Sequence, residues 1–129
     1  MSLLKVFNNH LLEFLNDVKG VVQNKTDIKS AIFFVNTTKS LNAKMFIQGW
    51  YIYIYQKYLQ EINKGDFTFF LNKDYSNDVT SSEPDDSNKV LGIINTIRRE
   101  MTNLNTEEQK KVMKYAQNLS KICGMYFSQ

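Results

Sequence analysis

Residues 49–59 read "GWYIYIYQKYL", and the fold class turns on how they are placed. Taken alone, Tyr51 to Tyr55 alternates Tyr and Ile with the period of two expected of a half-buried strand. Both alternating sets are apolar, however, so the stretch lacks the polar face that such a strand turns to water. The flanks decide between the two. Across "NAKMFIQGWYIYIYQKYLQEINKG" (42–65), a helical period puts Ile47, Trp50, Tyr51, Ile54, Tyr58 and Ile62 on one face. Gln48, Gln56, Lys57, Gln60, Asn63 and Lys64 fall on the other. Asn42 is placed to cap the start and Gly65 to end the helix. A stretch of about twenty residues suits a helix and exceeds the usual strand. The spacing therefore predicts a long helix with an aromatic middle, in which Gly49 costs about 1 kcal/mol relative to Ala.

The segments on either side are helical in the same way. Residues 2–19 carry Leu4, Phe7, Leu11, Phe14, Leu15 and Val18 at spacings of three and four, with Ser2 as N-cap and Gly20 as the stop. After the polar turn "QNKTD", Thr26 or Asp27 caps a second helix running through "IKSAIFFVNTTKSL", with Ile28, Ala31, Ile32, Phe34 and Val35 facing inward. Beyond Gly65, "DFTFFLNKDYSNDV" is a turn or short helix whose Phe67, Phe69 and Phe70 must pack somewhere. "TSSEPDDSN" reads as a flexible acidic loop, which Pro84 keeps from being helical. A fourth helix is expected over about 88–103, with Val90, Ile93, Ile94, Ile97, Met101 and Leu104 as its stripe. Asp85, Asp86 or Ser87 can serve its positive end. The last helix opens on "TEEQ", a capping box between Thr106 and Gln109. Its stripe is Val112, Tyr115, Ala116, Leu119, Ile122, Cys123 and Tyr126. The expectation is an all-α compact bundle of about five helices forming a single domain, 1–129. Three N-terminal helices (1–65) precede an aromatic turn and long acidic loop (66–87), and a C-terminal helical hairpin (88–129) closes it.

Composition narrows the class of protein. An apolar content of 43% over 129 residues supports a real core and excludes an intrinsically disordered chain. With Cys123 as its single cysteine the chain can form no internal disulfide, which suits a reducing compartment. Lys5, Asn8, Asn9 and His10 interrupt the amino-terminal apolar residues, so a secretory leader is not expected. The near-apolar run "MFIQGWYIYIY" falls short of the roughly 20 residues that cross a bilayer. An intracellular, cytoplasmic protein without a membrane partner is expected. The net charge of +3 conceals blocks of +4 over 1–65, −5 over 66–87 and +4 over 88–129.

Each candidate for chemistry has a plain structural alternative. His10, with Glu13 and Asp17 further along its helix, could begin a metal or acid–base face, but no second His or ligating Cys completes one. Cys123 lies on an apolar stripe, where a free cysteine behaves as a small hydrophobe. Asn72, Asp74, Ser76, Asp78, Thr80 and Glu83 occupy positions 1, 3, 5, 7, 9 and 12 of a loop resembling an EF-hand. Asn77 stands where that loop needs Gly, Asn72 where it prefers Asp, and Pro84 follows, so a polar loop is favoured over a calcium site. No metal, cofactor or catalytic residue is expected. Arg98, Arg99, Lys110, Lys111, Lys114 and Lys121 could form a basic strip along a phosphate backbone, although a solvated helix face looks the same. Trp50, Tyr51, Tyr53, Tyr55 and Tyr58, joined by Phe67, Phe69 and Phe70, exceed what one core stripe can hold. Those left outside would make an interface.

"FFLNKDY" (69–75) and "EEQKKVMKYAQNL" (107–119) resemble a group of short, uncharacterised helical proteins of large double-stranded DNA viruses. Phe69, Phe70, Leu71, Tyr75, Lys114 and Tyr115 carry the resemblance, and Met113 stands where that group has Trp. A viral origin is implied, virion association with it, but no activity or substrate. The residues themselves lead to a non-catalytic interaction or assembly module, with a protein partner or a second copy. A nucleic-acid-binding accessory protein is the alternative.

Overall fold

The computed structural model describes residues 2–22, 25–66, 85–101 and 104–129. The aromatic segment 67–75 and the EF-hand-like residues 72–83 lie outside them. Among the described residues every regular element is helical, as expected. Helix α1 is Leu3–Val21 and α2 is Thr26–Thr38. Helix α3 joins three contiguous segments: Met45–Trp50, a π-helical turn Tyr51–Tyr55, and Gln56–Asn63. Helix α4 is Asp85–Met101 and α5 is Thr106–Phe127.

Helix boundaries follow local chemistry, in places one to three residues from the expected position. The Ser2 hydroxyl accepts from the Lys5 N–H at 3.3 Å, as expected of an N-cap. Gly20 does not stop α1, which runs on to Val21, where the Lys25 ammonium donates to the carbonyls of Lys19 (2.5 Å) and Val22 (3.0 Å). A cation on these last carbonyls opposes the negative end of the helix dipole. Lys25, not Thr26 or Asp27, is the residue that precedes α2. Asp27 instead sits in the first turn, where its charge still suits the dipole. At the start of α3, Asn42 belongs to a tight turn, with its N–H bonded to the Thr38 carbonyl at 2.8 Å, and Lys44 precedes the helix. Helix α4 opens three residues earlier than expected, at Asp85. The capping box of α5 is displaced by one residue. The Asn105 side chain accepts from Glu108 N at 2.9 Å, and Glu108 Oε1 accepts from Asn105 N at 3.0 Å. Gln109 turns back to the Leu104 carbonyl instead. Asn at the cap with Glu three on satisfies two orphan amides more strongly than Thr106 with Gln109 could, because the Glu acceptor is charged.

Helix α3 ends as its sequence predicts. Gly65 has φ +74°, its N–H reaches the Ile62 carbonyl (3.0 Å) and the Asp66 N–H reaches the Glu61 carbonyl (2.9 Å). That pair of bonds is the Schellman motif, which needs a left-handed residue at this position and therefore favours glycine.

Packing joins the helices into a ring: α1 against α5, α5 against α3, α3 against α4, α4 against α2, and α2 against α1, with α1 also touching α3. Helix α4 packs chiefly on α3 and α2, and α5 on α1 and α3. Their apolar stripes explain this, because α4 is buried along a single line and α5 must cover both α1 and α3. Val90, Ile93, Ile94, Ile97, Met101 and Leu104 are all buried, as the spacing predicts. On α5, Val112, Leu119 and Cys123 are buried while Tyr115, Ala116, Ile122 and Tyr126 are half-buried. Phe7, Leu15, Ile28, Val35, Phe46 and Ile47 complete the centre.

Candidate interaction surface

The π turn redistributes the aromatic residues. In Tyr51–Tyr55 the backbone bonds skip one residue further than in an α-helix, as in the bond from the Gln56 N–H to the Tyr51 carbonyl. One extra residue is thereby fitted into the turn, and the buried face is no longer the one a strict 3.6 period picks out. Tyr53, placed outside that face by the period, is 1% exposed, and Trp50 is 5% exposed. Neither is available as a surface contact; both are core. Trp50 Nε1 donates to Ser120 Oγ at 2.9 Å, and its ring meets Phe7 edge-on with centroids 6.4 Å apart. Tyr51, Tyr55 and Tyr58 are half-buried at the margin of the bundle. Tyr58 has φ −131° and ψ 15°, so α3 kinks one turn after the π segment.

Helix α5 pins this segment from one side. Gln117 Nε2 donates to the Ile62 carbonyl at 3.0 Å, and the Cys123 thiol points to the Ile47 carbonyl at 3.7 Å. Gly124 lies directly beneath Tyr55, where a Cβ would stand 2.8 Å from the phenol oxygen. The end of α5 then completes an aromatic stack. The Tyr51 ring lies between Phe127, 4.1 Å away, and Tyr55, 5.4 Å away, both at interplanar angles of 23°. Tyr126 meets Phe127 edge-on at 4.9 Å. Phe127 stays 38% exposed and Met125 44%. Sequence reasoning omitted these two, because Phe127 falls past the last residue of the α5 stripe. Only its stacking on Tyr51 marks it.

The other candidates separate. Cys123 is buried, and burial pushes its thiol up to about 12, so it is a core residue. The His10 ring lies tilted against Tyr115 with centroids 5.0 Å apart, and its Nδ1 lies 3.2 Å from Glu13 Oε2. Tyr115 and Cys123 are eight residues apart on α5, about 12 Å at the helical rise, so His10 and Cys123 form no pair. Asp17, the third member of the imagined acid face, accepts the Tyr115 hydroxyl instead. That hydrogen bond to a carboxylate, with burial and the charges of Asp17 and Glu13, pushes the Tyr115 phenol up to about 12. Phe14 stacks beneath the same ring at 5.2 Å. Among the described residues no three His, Cys, Asp or Glu side chains stand close enough to share a metal ion.

The basic residues do not form one strip. Arg99 faces α2, 3.9 Å from Asp27, and bonds Thr96 at 3.4 Å, while Arg98 Nε donates to Asn95 at 3.5 Å. On α5, Lys110, Lys111, Lys114 and Lys121 are exposed, with Lys110 3.8 Å from Glu107. Lys111 edges a cleft of about 270 Å³ between α1 and α5, which Asp17 and Glu108 also line. No helix among the described residues is long and apolar enough to cross a membrane.

In comparisons with known proteins, the chain matches no protein-family model, no curated protein and no solved structure.

Proposed function

We propose that the protein is a non-catalytic helical interaction module, acting through the aromatic stack of Tyr51, Tyr55 and Phe127 with Met125 beside it. One observation carries this reading: a three-ring stack stands at the margin of the bundle, with Phe127 and Met125 left partly open to water. Aromatic side chains are enriched at protein interfaces because they bury a large area at little loss of entropy, and Met because its flexible thioether adapts to a partner's surface. The partner is a protein or a second copy of the chain. The resemblance of 69–75 and 107–119 to viral proteins supports a role in viral assembly.

Light scattering after size exclusion, together with affinity capture, tests the surface. The comparison is between the intact protein and a Met125→Ser/Phe127→Ser variant whose helicity is checked by circular dichroism. Self-association or partner capture lost in the folded variant supports the reading. A strict monomer that retains the same captured proteins in both forms refutes it.

A second reading rests on the exposed Lys111, Lys114 and Lys121 of α5, with Arg98 and Arg99 left out because they serve α4 and α2. Such a strip would bind DNA or RNA with an affinity that falls steeply with salt. Absence of binding at low salt removes it.

A further inference from the structure

The cleft of about 270 Å³ between α1 and α5 is lined by both signs of charge and by apolar side chains. Lys111 supplies an ammonium, and Asp17 and Glu108 supply carboxylates. Among the described residues no ion pair joins Lys111 to either acid, although all three line one cavity. Opposite charges held apart across a cleft leave room between them for a ligand that carries both.

The two carboxylates are anchored. Asp17 Oδ2 accepts the Tyr115 hydroxyl, and Glu108 Oε1 accepts the Asn105 N–H at 3.0 Å. Each bond occupies one oxygen, and among the described residues Asp17 Oδ1 and Glu108 Oε2 accept nothing. Tyr115, its phenol pushed up to about 12 by that bond and by burial, keeps its proton at neutral pH and stays the donor that fixes Asp17. A carboxylate held by one oxygen, with the other left over, is prepared to take an ammonium.

The walls add a requirement besides charge. Phe14, Val18 and Val112 close the floor and are themselves buried, whereas Val21 stands at the rim 44% exposed. Covering Val21 with an apolar group removes that surface from water. Apolar walls with a few convergent polar groups are the usual make-up of a small-molecule site, and a group displaced from its ordinary titration range often accompanies them.

We propose that this cleft binds a free α-amino acid with an apolar side chain. Asp17 and Glu108 take its ammonium, Lys111 takes its carboxylate, and its side chain covers Val21. An amine alone would leave Lys111 unserved, and a carboxylic acid alone would leave both carboxylates unserved. A zwitterion serves all three. Lys111 lies sixteen residues before Phe127 on α5, about 24 Å at the helical rise, so the site is independent of the aromatic stack.

Calorimetric titration of the full chain at neutral pH compares L-leucine with leucinamide, which lacks the carboxylate, N-acetyl-leucine, which lacks the ammonium, and glycine, which lacks the side chain. Leucine is expected to bind about 10-fold more tightly than each, the effect of one charge-assisted bond or one covered apolar side chain. Lys111→Met is expected to abolish the preference for leucine over leucinamide while keeping that over N-acetyl-leucine. Asp17→Asn/Glu108→Gln is expected to do the reverse. Both new amides keep an oxygen for Tyr115 and Asn105, and circular dichroism checks the fold; should that pair not fold, the exposed Lys111 still decides. Absence of leucine binding at millimolar concentration overturns the proposal, as does equal affinity for leucine and any of its three relatives. Preferences that the substitutions leave unmoved overturn it equally.

Discussion

Replacing Gly49 by Ala sets two effects of opposite sign against each other. Gly49 lies inside α3, where helix propensity alone favours Ala by about 1 kcal/mol. A Cβ there would stand 2.4 Å from Val90 Cγ1, 2.7 Å from Val90 Cβ and 2.9 Å from Val90 Cγ2. Rotating Val90 about χ1 moves its two methyl groups but not its Cβ, so the clash survives every rotamer. Relief requires α3 and α4 to part by about 1 Å to restore ordinary carbon contact distances. Overpacking of this kind costs about 1–3 kcal/mol, and the clash lies at its severe end. A net loss of about 1–2 kcal/mol follows once propensity is credited. Urea unfolding followed by circular dichroism reads it directly. Gly92→Ala on α4 is the control, because its new Cβ meets nothing within 4 Å, and it is expected to gain up to about 1 kcal/mol. The sign must differ between the two. A Gly49→Ala protein as stable as the parent, or more so, would refute the close approach of α3 and α4 on which the core rests.

Three further outcomes follow from the geometry. Asn105→Ala is expected to cost about 1 kcal/mol, whereas Thr106→Ala costs clearly less, because Asn105 and not Thr106 closes the capping box; denaturation midpoints at constant slope distinguish them. The Cys123 thiol, raised to about 12 by burial, should resist a thiol reagent at neutral pH until the protein unfolds; labelling at the rate of an exposed cysteine would place it outside the core. Tyr115 is held neutral by its bond to Asp17, with its phenol raised from 10 to about 12. A raised pKa means that this contribution to stability is intact below pH 10 and is lost as pH rises from 10 through about 12. Ultraviolet titration should show a late-ionising tyrosine component that is diminished in Tyr115→Phe.

The helices and most of their buried stripes are legible in the amino-acid order, because a 3.6-residue period is a local property. Val90 through Leu104 is the clearest case, with every expected residue buried. Gly65 was equally legible, since only a left-handed residue completes that helix end. The aromatic middle of α3 was legible as helix and illegible in detail. A π turn changes the period inside a segment whose residues are apolar on every side, so no pattern of polar positions betrays it. Tertiary packing alone settled that Tyr53 goes inside, with α5 closing over the segment. It also settled that α5 docks on α1 and α3, and that Phe127 joins Tyr51. Those outcomes depend on which surfaces meet across long stretches of chain, and local order carries no record of that.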